Sequence, residues 1–388
     1  MEVRKMEATF YRTPEQSKIK KQFYMDLSHQ NAKNIATEIH QQNQTVVKEF
    51  LLLGLGNLHN FKTLFFMLFL LLYIATLFGN MLVIFLVVTC QSLHFPMYFF
   101  LGNLSLSEIL FTTNIVPNML RLVLLGGGTM SVTSCLIQFY LLGVPTVAQC
   151  LLLAAMSLDR YLAICHPLHY MSIMTFKLQL QIVTICWLLG FVMTFVIYIF
   201  LTRLQFCNSN VIPHFYCDIA PLLELSCSDT FTLSVITSVG SFTIVVSPCF
   251  FIIVTYISIF INILKIPTAS GRQKTFSTCS SHLTIVCTYY GTLTTIYIVP
   301  SNDHSINANR GLSLLYTSVT PLVNPIIYSL RNQSMKRAIH TCVQDFRKWL
   351  RVLSRMATPL FLPTLGVKTT SPTQEDFNFR DSSAFKCV

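Results

Sequence analysis

Residues 63–88 read TLFFMLFLLLYIATLFGNMLVIFLVV, a stretch without a single charged side chain. A helix that crosses the roughly 30 Å hydrocarbon core of a bilayer needs about 20 predominantly apolar residues. The stretch also lacks the alternation of apolar and polar residues that membrane β-strands show. The sequence therefore predicts a membrane-spanning α-helix at this place.

Six further apolar stretches follow it, at residues 97–120, 133–158, 178–202, 230–264, 283–302 and 311–330, and only the first of these six contains a charged residue, Glu108. The run 230–264 is longer than one span, so part of it must be a loop or a helix extension. Only 11% of the chain is charged and 53% is hydrophobic, whereas soluble domains carry about 25% charged residues. The predicted fold class is an all-α membrane protein, a seven-transmembrane helix bundle.

Lys and Arg in short loops indicate the orientation of the bundle, because cytoplasmic loops carry an excess of them. With seven spans, one face holds Arg160, Lys177, Lys265, Arg272 and Lys274. The other face holds Arg121, Arg203 and Arg310. The richer face is predicted to be cytoplasmic, which places the N-terminus outside.

The same pattern divides the chain into four parts. Residues 1–62 are predicted to be an extracellular, mostly disordered segment, and residues 63–330 the seven-transmembrane domain. Residues 331–357 have apolar side chains on one helical face and basic ones around it. Such a basic amphipathic helix suits the anionic inner leaflet, although a solvated cytoplasmic helix is the alternative. Residues 358–388 are predicted to be a disordered cytoplasmic tail.

Four long motifs occur in chain order at the ends of these spans. They are LHFPMYFFL at 93–101, MSLDRYLAICHPLHY at 156–170, KTFSTCSSHL at 274–283 and PLVNPIIYSLRN at 321–332. With FLLLGL at 50–55, they resemble the olfactory receptor family, on the tetrapod-type branch of these rhodopsin-like G-protein-coupled receptors. The resemblance covers about residues 43–340. It implies a multi-pass plasma-membrane receptor that binds an odorant and activates a heterotrimeric G protein of the stimulatory olfactory type, raising cyclic AMP.

Two of the motifs carry residues suited to a conformational switch. Asp159, Arg160 and Tyr161 end the third span, where an acid can hold the arginine and then release it. Pro325 removes a backbone donor and kinks the seventh helix, and Asn324 can satisfy the freed groups. The resemblance implies that Arg160 faces the G protein in the active state and that Tyr256 and Tyr328 rearrange near it. A plain interfacial ion pair and static helix packing are the alternatives.

Glu108 is the only acid within a predicted span. A charge at mid-membrane costs at least about 2.5–3.5 kcal/mol, so this side chain is expected to face inward and to be paired or protonated. The resemblance to rhodopsin-like receptors implies a sodium ion near Asn80 and Asn324, but such receptors generally carry Asp where this chain has Glu. A sodium site and a protonated or water-linked Glu108 both stay open. No other cofactor is expected.

Four cysteines are predicted to lie outside, where the environment permits disulfides. They are Cys135, Cys207, Cys217 and Cys227, and four cysteines allow three connectivities. The resemblance implies the pairs Cys135–Cys217 and Cys207–Cys227. On the same side, Asn43 begins a glycosylation sequon, Asn43-Gln44-Thr45.

The ligand is expected to be small, neutral and mostly apolar, because the outer halves of the third, fifth, sixth and seventh spans carry no charged residue. An amine would find no counter-ion, since Leu142 occupies the position where aminergic receptors carry Asp. The resemblance places nine residues at the pocket: Leu142, Gly143, Thr146, Val147, Leu293, Tyr297, Ser313, Leu314 and Thr317. Ordinary interhelical packing is the alternative for each of them.

Other classes of protein fit less well. A rhodopsin-like receptor for another small molecule or lipid outside the nose is the first alternative. A transporter would need a polar pathway through the bundle, and one acid does not supply it. The sequence shows no nucleophile–base pair, no metal cluster and no nucleic-acid-binding pattern, so we expect neither an enzyme nor a nucleic-acid partner. The expected partners are the ligand, the G protein and membrane lipid.

Overall fold

The structure is a computed structural model that describes residues 47–56, 61–207, 209–298 and 306–361. Eight long helices follow one another within these residues. They are α1 (Lys62–Thr89), α2 (Pro96–Leu125), α3 (Val132–Cys165), α4 (Phe176–Leu201), α5 (Phe231–Leu264), α6 (Ala269–Ile298), α7 (residues 306–331) and α8 (Gln333–Phe361). Short helices, Pro167–Ile173 and Ile219–Glu224, lie in two of the connections.

Helices α1 to α5 are long and apolar enough to cross a membrane. Helix α6 contains residues 283–298 of the sixth predicted span, whose last four residues lie outside the described part, and α7 contains the seventh span. In the most apolar part of α1 and of α4 only 22% of the residues are buried, compared with 56% in α3. The structure therefore confirms a helical membrane bundle, in which α3 is central and α1 and α4 present apolar surface outward.

Local sequence signals set the ends of several helices. Pro96 occupies the first turn of α2, where its missing N–H costs nothing. Gly126 ends that helix with a φ of 76°, a conformation that glycine adopts without a Cβ penalty. The side chain of Ser131 accepts a hydrogen bond from the Ser134 amide (3.1 Å) and so caps α3.

Helix α3 packs against α2, α4 and α5, and α7 closes the bundle by packing against α1 and α6. Asn80 holds the contact between α1 and α7, because its Nδ2 donates to the carbonyl oxygens of Thr76 (3.0 Å) and Pro321 (3.1 Å). A Cβ added at Gly79 would lie 3.1 Å from the ring of Pro325, so the two helices approach closely here.

Helices α3 and α6 differ in length from the predicted spans, and in α5 the structure shows which of two expected alternatives holds. Helix α3 continues to Cys165, so the Asp159-Arg160 pair lies within the helix instead of just beyond it. Helix α5 is continuous, and the excess length of the run 230–264 is helix extension with a π turn at Phe242–Val246. Helix α6 begins at Ala269, because the polar segment before residue 283 is also helical.

A small sheet lies at one end of the bundle and was not predicted. Strand β1 (Glu49–Leu52) pairs antiparallel with β2 (Gly128–Ser131) and parallel with β3 (Val211–Ile212). Phe50 and Leu52 are fully buried, so this part of the segment predicted to be mostly disordered is structured. Residues 1–46, with Asn43, lie outside the described residues. We call this end of the bundle the sheet end.

Helix α8 occupies the place of the predicted amphipathic helix. The side chain of Asn332 caps it by accepting from the amides of Ser334 (3.0 Å) and Met335 (3.2 Å), and Tyr98 donates to the same oxygen (2.9 Å). Met335 is buried, whereas Phe346 is half exposed. Contact of this helix with lipid stays a prediction, and residues 362–388 of the predicted tail lie outside the described residues.

Candidate functional site

A cavity of about 170 Å³ lies among the helices toward the sheet end. Helix α3 contributes Phe139, Leu142, Gly143, Thr146, Val147 and Cys150, and α5 contributes Thr237, Gly240, Ser241, Ile244 and Val245. The remaining wall is formed by Phe111, Met193, Thr194, Ile197, Leu293 and Tyr316, and by the loop residues Tyr216, Asp218 and Ile219. The wall is mostly apolar, which suits a small apolar molecule.

Five residues that the family resemblance places at the pocket line this cavity: Leu142, Gly143, Thr146, Val147 and Leu293. Among the described residues, Ser313, Leu314 and Thr317 do not line it, and α7 contributes Tyr316 instead. The π turn Leu315–Val319 changes the register of side chains at this point. The Tyr297 side chain lies outside the described part of the structure, so its role stays a prediction.

Ser313 and Thr317 make other contacts. The Ser313 hydroxyl lies 3.1 Å from Nε2 of His214, and the Thr317 hydroxyl donates to the Ser313 carbonyl oxygen (2.7 Å). Both side chains are buried. Ser313 therefore connects α7 to the loop above the cavity, whereas the Thr317 hydroxyl bonds within α7.

Two tyrosines of α6 contact the lining residues Thr146 and Cys150 of α3. Tyr289 donates to the carbonyl oxygen of Thr146 (3.2 Å) and lies 3.3 Å from the Cys150 sulfur. Tyr290 donates to the carbonyl oxygen of Cys150 (3.3 Å). These bonds connect α6 to α3, one helical turn from the lining residue Leu293.

The loop that covers the cavity contains both disulfides that the resemblance implies. Cys135 at the start of α3 is bonded to Cys217, with the two Cα atoms 5.5 Å apart, and Cys207 is bonded to Cys227. The Cys217 amide also donates to Oε1 of Gln138 (3.1 Å). The loop residues that follow Cys217 are therefore held directly over α3.

The opposite end of α3 carries the ion pair. Nε of Arg160 lies 3.7 Å from Oδ2 of Asp159, and Tyr170 of the short helix Pro167–Ile173 donates to the other carboxylate oxygen (2.8 Å). Asp159 is 1% exposed and Arg160 14%. Tyr161 points elsewhere, toward Nε2 of His166 (3.2 Å). Among the described residues, Asp159 therefore has two polar partners, Arg160 and Tyr170, whereas Arg160 has one, Asp159.

Apolar packing closes this end of the bundle. Ile259, Ile263 and Cys279 form a buried cluster between α5 and α6, with Tyr161 and Tyr256 packed against it. The Tyr256 hydroxyl lies 2.6 Å from Nδ1 of His282, which joins the same two helices. Tyr328 is fully buried, and its hydroxyl has no hydrogen-bond partner among the described residues. An opening between α3, α5 and α6 would require these contacts to separate.

Comparison with known proteins agrees with this arrangement. The family model described as olfactory receptor matches residues 69–345. The chain belongs to the olfactory receptor family. Rat olfactory receptor 1f45 is 43% identical over 297 residues, which cover 76% of this chain and 95% of the relative. Human olfactory receptor 11A1 is 42% identical over 302 residues, which cover 78% and 96%. The predicted family is confirmed: this olfactory receptor is a multi-pass membrane protein of the G-protein-coupled class and not an enzyme.

The buried acid of the receptor meets the residues that the sequence suggested. Glu108 is 2% exposed and accepts a hydrogen bond from Nδ2 of Asn324. The amide oxygens of Asn80 and Asn324 and the Ser318 hydroxyl have no hydrogen-bond partner among the described residues. A carboxylate and free amide oxygens are the donors that hard cations prefer, so these residues fit a sodium ion.

Asp218 is a cavity residue that the sequence reasoning missed, because it considered only the spans. Its carboxyl lines the cavity, and its Oδ1 accepts from the Ile219 amide (2.7 Å). Burial raises the pKa of this carboxyl above its usual value. The sequence feature that could have identified Asp218 is its position directly after Cys217, which the implied disulfide holds to α3.

His214 in the same loop connects three parts of the sheet end. Its Nδ1 accepts from the Tyr216 amide (3.4 Å), so Nε2 carries the hydrogen and donates to Ser313. The Gly54 amide next to β1 donates to the His214 carbonyl oxygen (3.2 Å). Burial and nearby Arg310 lower the pKa of His214 to about 3. This histidine is therefore neutral in the folded receptor.

Acidification should destabilise the receptor through His214. The folded-state pKa of about 3 lies below the unfolded value of about 6.5. Below pH 6.5 the unfolded chain binds the proton and the folded loop does not, so the stability present above that pH is lost as pH falls. From about pH 7.5 to about pH 5, the loss is roughly 2 kcal/mol. Thermal unfolding of the purified receptor in nanodiscs at both pH values measures it.

The variant His214→Gln should lose this part of the pH dependence, because glutamine does not titrate. His169→Gln is the matched control, since His169 is exposed at the opposite end of the bundle. An equal pH dependence of wild type and His214→Gln would contradict the assignment.

Proposed function

We propose that this receptor binds a small, neutral, mostly apolar odorant in the cavity and activates a heterotrimeric G protein of the stimulatory olfactory type, which raises cyclic AMP. The observation that carries the proposal is that one helix, α3, contributes both the cavity wall and the Asp159-Arg160 pair. A ligand that changes the position of α3 relative to α6 therefore acts on both sites.

The contacts between α3 and α6 suggest how ligand binding is transmitted. Leu293 lines the cavity, and one turn away Tyr289 and Tyr290 bond to the backbone of Thr146 and Cys150. A ligand shifts the equilibrium only if it binds the active arrangement more tightly. We infer that an agonist packs better against the cavity wall when the part of α6 between these tyrosines and Cys279 has moved away from α3.

This movement of α6 also changes the packing at the end of the bundle that carries the Asp159-Arg160 pair, which we call the ion-pair end. It separates Cys279 from Ile259 and Ile263 and opens a cleft lined by Tyr256 and Tyr328. Arg160 is held by a single pair at 3.7 Å, which is longer than a normal hydrogen bond. It leaves Asp159 at small cost and becomes available to the G protein, while Tyr170 continues to hold the acid.

The orientation of the receptor belongs to the same proposal. The sheet end, with both disulfides, faces outside, and the ion-pair end faces the cytoplasm at the plasma membrane. Glycosylation of Asn43 fits this orientation. Helix α8 lies along the inner leaflet, which is supported by the exposure of Val343, Phe346 and Leu350 on its apolar face.

Glu108 is neutralised in one of two ways. A sodium ion would be held by the Glu108 carboxylate and the amide oxygens of Asn80 and Asn324, and would supply the charge that balances the acid in the resting receptor. A proton on Glu108 would do the same. Either species stabilises the contact between α2 and α7 that Glu108 makes with Asn324.

A cyclic-AMP reporter assay in transfected cells tests the proposed function. We expect a dose-dependent response to some members of a panel of volatile compounds and none in mock-transfected cells. A response carried only by another G-protein class would contradict the coupling, and agonists that are all permanently charged would contradict the neutral-ligand part.

Filling the cavity should block the agonist without unfolding the receptor. A Cβ added at Gly240 would meet only the end of Met193, at 3.8 Å, so Gly240→Leu extends into free space. Leucine also favours the helix by roughly 0.5–1 kcal/mol over glycine. Overpacking the occupied cavity costs about 1–3 kcal/mol, so the half-maximal agonist concentration should rise about fivefold to a hundredfold.

Gly311→Leu is the matched control for this variant. Gly311 is exposed, with nothing within 4 Å of an added Cβ, and it does not line the cavity in the described part of the receptor. We expect wild-type potency for it. Unchanged potency of Gly240→Leu at normal surface level would place the agonist elsewhere.

A further inference from the structure

We propose that Asp218 determines the ligand class of the cavity by accepting a hydrogen bond from a hydroxyl or amino group of the odorant. The inference rests on the proposed function, in that it assigns a residue to the cavity described there. It narrows the ligands from small apolar molecules in general to those that carry a hydrogen-bond donor.

The fold holds Asp218 at the cavity. The residue follows Cys217, whose disulfide to Cys135 and amide bond to Gln138 fix the backbone over α3. One carboxylate oxygen accepts from the Ile219 amide and caps the short helix Ile219–Glu224. That bond is the only one that the described structure gives to this side chain. Because Asp218 lines the cavity, we infer that its second oxygen is open to a ligand there.

Neighbouring polar groups favour the same ligand chemistry. The Thr146 hydroxyl gives its hydrogen to the Leu142 carbonyl oxygen (2.8 Å), and the Thr237 hydroxyl gives its hydrogen to the Leu233 carbonyl oxygen (2.9 Å). Toward the cavity both hydroxyls can then only accept. Thr194 and Ser241 can act either way. A ligand with a donor group thus finds several acceptors, and Asp218 is the strongest of them.

The charge of the Asp218 carboxylate strengthens the preference for a ligand with a hydrogen-bond donor. Among the lining residues that the structure describes, Asp218 is the only carboxyl group, and no Lys, Arg or His lies with it. Leaving a desolvated carboxylate without a partner is costly. A hydroxyl or neutral amino donor relieves that cost and forms a charge-assisted bond, which is about twice as strong as a neutral one. An ether or ketone relieves none of it.

The sharpest variant is Asp218→Asn. Asparagine caps a helix as well as aspartate, so its oxygen retains the bond to the Ile219 amide and its NH₂ group replaces the acceptor at the cavity. Asp229→Asn is the matched control: Asp229 also lies in this loop and accepts from a helix-start amide, that of Phe231 (2.9 Å), but it is exposed and outside the cavity.

The experiment compares volatile alcohols with the amine and the methyl ether of the same carbon skeleton in the cyclic-AMP assay. In Asp218→Asn the half-maximal concentration of an active alcohol or amine should rise about tenfold to a hundredfold, while that of its ether changes less than about threefold. Asp229→Asn should behave as wild type. Because both ligands are measured on one variant, differences in surface level cancel, and the alcohol and amine arms distinguish a neutral donor from a charged one.

A second readout separates this inference from the proposed function. Stabilisation of the purified receptor against heat by the same alcohols, in wild type and Asp218→Asn, reports binding without a G protein. If the alcohols stabilise only the wild type but raise no cyclic AMP, the coupling proposal fails and the role of Asp218 stands. Equal losses for alcohol and ether, no loss for either, or wild-type agonists that all lack a hydroxyl or amino group overturn the inference.

Discussion

Replacing Arg160 by alanine should abolish the agonist-driven rise in cyclic AMP while leaving the surface level of the receptor near that of wild type. Arg160 is 14% exposed and interacts with the folded receptor through one ion pair of 3.7 Å. We expect the fold to be retained, because Tyr170 still donates to the Asp159 carboxylate. It removes the one cation that α3 presents to the G protein in the proposed active state. Dose–response curves in the reporter assay, with surface staining of the same cells, measure both quantities.

Arg203→Ala is the control for this variant. It also removes an arginine, but from the loop at the sheet end, and it should retain wild-type signalling. Normal cyclic-AMP output from well-expressed Arg160→Ala would remove Arg160 from the coupling mechanism. Loss of surface expression would instead show that the ion pair supports the fold.

The spans could be predicted from the sequence because each depends on local composition. Apolar runs of about 20 residues or more mark helices α1 to α5 closely. The predicted third span is shorter than α3 only because it ends before Asp159 and Arg160. Strand β1 could not be predicted in this way. Its partners, Gly128–Ser131 and Val211–Ile212, are far away in the chain, and a strand without its neighbours carries little signal.

The family resemblance placed four residues of α3 at the cavity, Leu142, Gly143, Thr146 and Val147, and all four line it, because a regular helix fixes which side chains share a face. The prediction diverged at α7, where Tyr316, in the π turn Leu315–Val319, lines the cavity and Ser313 contacts His214 instead. It also missed Asp218, whose position depends on a disulfide between distant residues. Departures from regular helix geometry and long-range covalent bonds are the two features that a local pattern does not encode.

Breaking the disulfide between Cys135 and Cys217 should keep most of the receptor from reaching the cell surface. The bond closes a loop of 82 residues, for which the chain-entropy relation gives about 4.5 kcal/mol. The bond Cys207–Cys227 closes only 20 residues, for which it gives about 3.3 kcal/mol. A membrane protein of ordinary stability does not tolerate the larger loss easily. Cys217→Ser should therefore lower surface staining more than Cys207→Ser does.

Cys342→Ser is the matched control, since Cys342 is a free, half-buried cysteine of α8, and it should reach the surface like wild type. Peptide mapping of the oxidised receptor tests the pairing itself, and a Cys135–Cys207 or Cys135–Cys227 peptide would contradict it. Receptor that still reaches the surface as Cys217→Ser should respond to agonist with reduced potency. The reason is that Asp218 and Tyr216 would no longer be held over the cavity by the bond to α3.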